Sequence, residues 1–236
     1  METHHEKAGR ILKEAREALR VQDYPLALEL YEWFFDHAMD DGSSGYYGVR
    51  LSYCLDEWAQ LGRVFELART KLEQRRAQSI QELERTRDAR KFHDFVAICR
   101  YTDAMGLAID TFLECRNSDR ELAKDMFLFI KDDLAAAGQW EVCSAYIENA
   151  DDAYVTALMK LDNSLEFSQK HPERGGGEFE LHVKGAYVKN VTYLVTVLTH
   201  THRTDEAQRI CQRANKDMQE RGLKEFLSVY PEDFED

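Results

Sequence analysis

The feature that most constrains this fold is a recurring trio, in which a small residue is followed by residues four and seven positions later. Residues at that spacing share one face of an α-helix, and the small side chain lets a second helix approach closely. The trios are Ala27/Tyr31/Phe34, Ala68/Leu72/Arg75, Ala108/Phe112/Cys115, Cys143/Ile147/Ala150 and Ala207/Cys211/Ala214. This repetition predicts an all-α fold of about 11 helices, built from antiparallel hairpins that bury their faces by stacking.

Few helix breakers interrupt the pattern, because the 236 residues include only three prolines. The ambiguous segment is 178–197, whose first residues alternate in polarity like a strand and whose later residues are rich in β-branched side chains. Its apolar residues also fit one helix face, and the sequence offers no partner strands. Because an isolated hairpin is only marginally stable, we predict a helix here. Another helix is predicted over residues 140–149.

Several stretches resemble the tetratricopeptide repeat, a helical hairpin of about 34 residues. Residues 24–32, which read YPLALELYE, resemble the start of its second helix. Residues 136–140 and 203–207 are similar to its turn. Residues 33–38 and 48–53 are also similar to a small bacterial family of repeat proteins that has no assigned activity. The resemblance implies a right-handed solenoid whose concave groove binds a peptide or protein.

The organisation that follows from this resemblance has four parts. Residues 1–170 form tetratricopeptide-like repeats, and residues 171–178 form a loop that contains Pro172 and three glycines. Residues 179–230 form a C-terminal helical hairpin of the same solenoid, with a last short helix near Phe226. Residues 231–236 form an acidic tail.

Charge and composition limit the partners and the location. The formal net charge is −13, which argues against binding to nucleic acid or to an anionic membrane. No apolar run is long enough to span a bilayer, and the first residues lack a secretory signal. The five cysteines are widely and irregularly spaced, as expected for free thiols rather than disulfides or a zinc site. We therefore expect a soluble protein of the bacterial cytoplasm.

The candidate binding residues come from the tetratricopeptide resemblance, in which the first helix of each hairpin faces the concave groove. The corresponding positions carry basic and aromatic side chains, and these are Arg50, Tyr53, Arg90 and His93, with Arg100 nearby. A basic stripe in an acidic protein favours an anionic segment such as a peptide carboxylate. The alternative is that Arg50 and Arg90 pair with Glu57, Asp56 or Asp94 on solvated helix faces.

No motif points to catalysis or to a cofactor. The sequence has no nucleophile elbow, phosphate loop or dinucleotide-binding glycines. His4-His5 and His200-Thr201-His202 lack further ligands at metal-binding spacing, so neither a metal nor any other cofactor is predicted. The first hypothesis is therefore a non-catalytic protein-binding module of undefined oligomeric state. The alternatives are an acidic inhibitor or immunity-type protein that covers a basic partner, and a hydrolase with a site between helices.

Overall fold

The computed structural model describes residues 2–42, 45–172 and 176–221, and within these ranges the chain forms eleven helices and no strand. The third helix contains a π turn and is given as its three segments. The helices are α1 His4–Arg20, α2 Tyr24–His37, α3 (Tyr47–Val49, the π turn Arg50–Cys54, and Leu55–Val64), α4 Glu66–Thr86, α5 Ala89–Tyr101, α6 Met105–Ser118, α7 Arg120–Ala136, α8 Trp140–Ser144, α9 Ala150–Lys170, α10 Gly177–His200 and α11 Thr204–Glu220.

The all-α prediction is confirmed for the described ranges. The ambiguous segment is helical throughout α10. The predicted helix over 140–149 is wrong in its extent, since α8 ends at Ser144. Asn149 instead caps the next helix, where its side-chain oxygen accepts hydrogen bonds from the backbone N–H groups of Asp151 and Asp152. The helix predicted near Phe226 and the acidic tail at 231–236 lie outside the described residues.

Helix starts follow the local capping rules. Thr3 and Glu6 form a reciprocal capping box at the start of α1. Asp23 accepts a hydrogen bond from the N–H of Leu26 at 3.3 Å, and Pro25 occupies the first turn of α2. None of the described helices combines the length and apolar composition needed to cross a bilayer.

The small residue that opens each trio is fully buried. Ala27, Ala68, Ala108, Cys143 and Ala207 all have 0% relative exposure. A small side chain at these points lets neighbouring helix backbones approach closely, which explains why the spacing in the sequence predicts packed helices. Within the trio that begins at Cys143, however, the residues are divided between α8, a turn and the start of α9.

The chain divides into two compact units, residues 1–130 and 131–236, and the boundary falls inside α7. In the first unit α1 packs on α2, α2 on α3, α3 on α4, α4 on α5, and α5 on α6. Its largest fully buried side chains include Trp58, Tyr31 and Phe34. The indole N–H of Trp58 donates to the carbonyl of Ala68 at 2.9 Å, which joins α3 to α4 inside the core.

The second unit is organised around α10, which packs against α8, α9 and α11. Tyr154 on α9 donates its hydroxyl to Asp217 on α11 at 2.5 Å. The hydroxyl of Tyr187 on α10 lies 3.1 Å from that of Tyr154, so this polar network links all three helices. Satisfied buried hydroxyls of this kind fix how the helices fit together.

Candidate functional site

Arg50 begins the π turn of α3 and is one of the few charged residues in the interior. Only 8% of its surface is exposed. The π turn places it beside the buried residues Leu51 and Cys54. A π turn is rare and is frequently found at functional sites, because it widens the helix locally and redirects side chains. The first unit therefore has an unusual backbone feature at a residue that the sequence pattern selects.

The guanidinium of Arg50 is held by groups on α2, on α5 and on its own helix. It forms an ion pair with the carboxylate of Asp94 on α5. It also lies over the ring of Phe35 on α2, at 4.5 Å from the ring centroid, and at 5.9 Å from that of Tyr47. Cationic groups over aromatic faces gain electrostatic stabilisation that increases when water is excluded.

Arg50 nevertheless keeps unused hydrogen-bonding capacity. Its Nη1 donates to the carbonyl of Phe35 at a long distance of 3.4 Å, and its Nη2 donates to Asp94. Its buried Nε has no hydrogen-bond partner among the described residues. A buried donor without a partner costs about 1–3 kcal/mol, so the site retains a donor whose pairing would be favourable.

Burial also affects the partner carboxyl. The pKa of Asp94 is raised because burial disfavours its charged form, and the positive charge of Arg50 only partly opposes this effect. The two side chains are each about 10% exposed. The pair is therefore a buried ion pair whose members depend on each other.

Arg50 and Asp94 form one side of a pocket of about 240 Å³, here called the Arg50 pocket. Phe35 and Tyr47 give it an aromatic wall, and two further cations, Arg90 and Lys91, line its opening. The remaining lining residues are Asp36, Met39 and Asp88.

The cations at the opening are held by exposed or half-exposed ion pairs. The Nε of Arg90 lies 3.3 Å from Asp88, and the Nζ of Lys91 lies 2.6 Å from Glu82. Asp36 is paired with Arg75 on α4. Surface pairs of this kind contribute about 0–1 kcal/mol, so an incoming carboxylate can replace one partner at small cost.

His93 lies beside the pocket in a polar and aromatic contact network. A hydrogen bond of 2.8 Å joins its Nδ1 to the hydroxyl of Tyr47, and its ring stacks on Phe129 at 4.3 Å. The pKa of His93 is lowered to about 4, first by burial and then by the charges of Arg100 and Arg50. The imidazole is therefore neutral at physiological pH.

The remaining two candidates lie at different places. Arg100 donates from Nη2 to the carbonyl of Phe129 at 2.9 Å, and it does not line the Arg50 pocket. The side chain of Tyr53 is 63% exposed and does not line the Arg50 pocket. The structure thus brings Arg50, Arg90 and His93 around Tyr47 and leaves Tyr53 outside this group.

The alternative hypothesis, in which Arg50 and Arg90 pair with Glu57, Asp56 or Asp94, holds in part. Arg50 pairs with Asp94, as that alternative predicts, whereas Glu57 pairs with Arg16 at 2.9 Å. The register of the predicted hairpins does not select Phe35, Tyr47, Lys91 or Asp94 as site residues. The two aromatic residues are typical of a core, and nothing in the local sequence indicates that the packing of α2, α3 and α5 brings all four together.

The described part of the chain holds no cluster of three or more His, Cys, Asp or Glu side chains suited to a metal ion. All five cysteines are free thiols, and Cys115 is the one that is not fully buried.

The chain matches no known family model, no curated protein and no solved structure. A functional assignment therefore depends on the geometry of the site.

Proposed function

We propose that this protein is a non-catalytic protein-binding module that holds an acidic side chain of a partner peptide in the Arg50 pocket. The observation that carries the proposal is the incompletely hydrogen-bonded, buried guanidinium of Arg50, which lines a pocket beside two further cations. A carboxylate is the ligand that arginine and lysine donors recognise most directly.

The three cations have different roles in this proposal. Arg90 is held by an exposed pair and Lys91 by a half-exposed one, so a partner carboxylate replaces Asp88 at small cost and Glu82 at a higher cost. Arg50 lies deeper and provides a desolvated charge, where each new hydrogen bond gains more than it would in water. Tyr47 and Phe35 supply the aromatic wall for the rest of the bound side chain.

In this proposal the hairpins α1–α2, α3–α4 and α5–α6 are tetratricopeptide-like repeats of a right-handed solenoid. The support is that each hairpin packs on the next, through α2 against α3 and α4 against α5. The pocket would then lie where the second and third hairpins meet, with Arg50 from the former and Arg90 from the latter.

The test is a charge reversal at the pocket opening, Arg90→Glu, compared with Arg20→Glu on α1. The two arginine side chains are similarly exposed, at 74% and 72%, and each is paired with a nearby acid. The tagged wild-type chain and both variants are used to recover partners from a lysate of the source organism, with quantification by mass spectrometry. We expect Arg90→Glu to reduce recovery of specific partners by about tenfold or more, which corresponds to about 1.4 kcal/mol. Equal recovery by both variants would refute the proposal.

The second candidate, an acidic inhibitor of a basic partner, is favoured by the net charge of −13. It predicts the opposite response, because Arg90→Glu makes the chain more acidic and would strengthen such binding. It also predicts that the association rate falls steeply with added salt, since long-range attraction between opposite charges is screened.

A further inference from the structure

The second unit contains a groove of about 290 Å³ between α9 and α10, here called the α9/α10 groove. Its walls are mainly apolar and include Leu161 on α9 and Phe179 and Val183 on α10. Ala157 and Ala186 widen it, because their short side chains leave room between the helices. A groove of this kind accepts bulky apolar side chains.

One end of the α9/α10 groove carries a lysine and lies near two others. Lys160 lines the groove, is exposed and has no ion-pair partner in the described part of the chain. Asn190 lines the same end and accepts a hydrogen bond from the Nζ of Lys131 at 3.0 Å. The Nζ of Lys189 lies 2.5 Å from Asp132, and the Nζ of Lys131 lies 3.9 Å from that same carboxylate. Two ammonium groups therefore share one carboxylate, and the positive charge of Lys160 acts on one of them, that of Lys131.

The neighbouring positive charges affect the pKa of Lys131. Its pKa is lowered, first by burial and then, against the pull of Asp132, by the charges of Lys189 and Lys160. Like charges repel each other, and an added anion would relieve the repulsion. In a chain with a net charge of −13, such a local excess of positive charge selects anionic ligands.

The distribution of polar groups favours a peptide over a lipid. Ser164, His182 and Asn190 lie among the lining residues. A peptide backbone offers hydrogen-bond partners to Ser164 and His182, whereas an alkyl chain would bury these two side chains without partners, at a cost of about 1–3 kcal/mol each.

We infer that the α9/α10 groove is a second binding site, for a partner peptide whose bulky apolar residues are followed by carboxylates. The apolar side chains fill the space above Leu161 and Val183, and the carboxylates bind Lys160 and the neighbouring Lys131–Lys189 cluster. This site is formed by helices of the second unit and goes beyond the proposed role of the Arg50 pocket.

The test measures binding of a fluorescein-labelled synthetic peptide to the full chain by fluorescence anisotropy. The peptide carries phenylalanine and leucine followed by a run of glutamates. The test variant is Lys160→Glu, and the matched control is Lys216→Glu, which makes the same charge change at an exposed lysine of α11. We expect Lys160→Glu to weaken binding by about tenfold or more, while Lys216→Glu stays within about twofold of the wild type. Equal affinities for the two variants would overturn the inference.

Three further measurements distinguish peptide binding in this groove from binding elsewhere on the chain and from lipid binding. Ala186→Trp fills the groove from an exposed position, so it should weaken peptide binding without changing the helical circular dichroism signal. Arg90→Glu removes only the part of the signal that comes from acidic peptide bound in the Arg50 pocket; a complete loss of binding in this variant would assign the peptide to that pocket and overturn the inference. The third measurement is binding of myristate. If the chain binds myristate but not the peptide, and Lys160→Glu weakens that binding, the groove is a lipid site and the inference is overturned.

Discussion

Replacing Asp94 by alanine tests whether the first unit depends on the buried pair between Arg50 and Asp94. Each side chain of the pair is about 10% exposed, so the change leaves a charged guanidinium with little access to water. Removing one member of a buried ion pair costs about 3–5 kcal/mol. The ring faces of Phe35 and Tyr47 still stabilise the cation, by about 0.5–2 kcal/mol. We therefore expect a loss of about 1–4.5 kcal/mol in the free energy of unfolding.

The assay is urea unfolding followed by tryptophan fluorescence in a Trp140→Phe background. Trp33 and Trp58 then report on the first unit alone, since Trp140 is the only one of the three tryptophans in the second unit. With a denaturant dependence of about 2 kcal/mol per molar urea, the midpoint should fall by about 0.5–2 M.

The double variant Arg50→Met/Asp94→Leu provides the control for this reasoning. It removes both charges and keeps apolar volume, so it should unfold within about 1 kcal/mol of the wild type. A cost below about 0.5 kcal/mol for Asp94→Ala would refute the reasoning. The reasoning would also fail if the double variant lost as much stability as Arg50→Met and Asp94→Leu lose separately when added together, because coupled charges must be non-additive.

Three further predictions concern packing, pH and thiol reactivity. Ala27→Leu should cost about 1–3 kcal/mol in urea unfolding because it overpacks a fully buried contact, whereas Ala77→Leu at an exposed position of α4 should stay within about 0.5 kcal/mol. His93 has a folded pKa of about 4, below its unfolded value of 6.5, so the unfolded chain binds more protons and stability falls as pH drops from 6.5 towards 4. The unfolding midpoint of His93→Gln should fall less over that range, and an equal fall would contradict this assignment. Iodoacetamide should modify Cys115 first and Cys54 last in the native chain, because burial raises the pKa of Cys54 most strongly; mass spectrometry of early labelling checks the order.

The placement of the helices was largely predictable from local chemistry. The trios with a small first residue indicated which faces are buried, because the 3.6-residue period brings positions four and seven apart to one side. Asp23 and Pro25 marked the start of α2 for equally local reasons. The predicted end of α8 is wrong, because Asn149 is able to extend one helix or to cap the next, and packing decided between these outcomes.

The candidate sites were predictable only in part. The register of the predicted hairpins selected Arg50, Arg90 and His93, which do lie around Tyr47, but it also selected the exposed Tyr53. The α9/α10 groove gave no signal, because its lysines lie far apart in the chain, at positions 131, 160 and 189. Sequence alone determined an acidic, helical chain, since composition and periodicity act over a few residues. Tertiary structure alone decided the π turn at Arg50, its pairing with Asp94 and the clustering of the lysines, because these depend on contacts between residues about 30 or more positions apart.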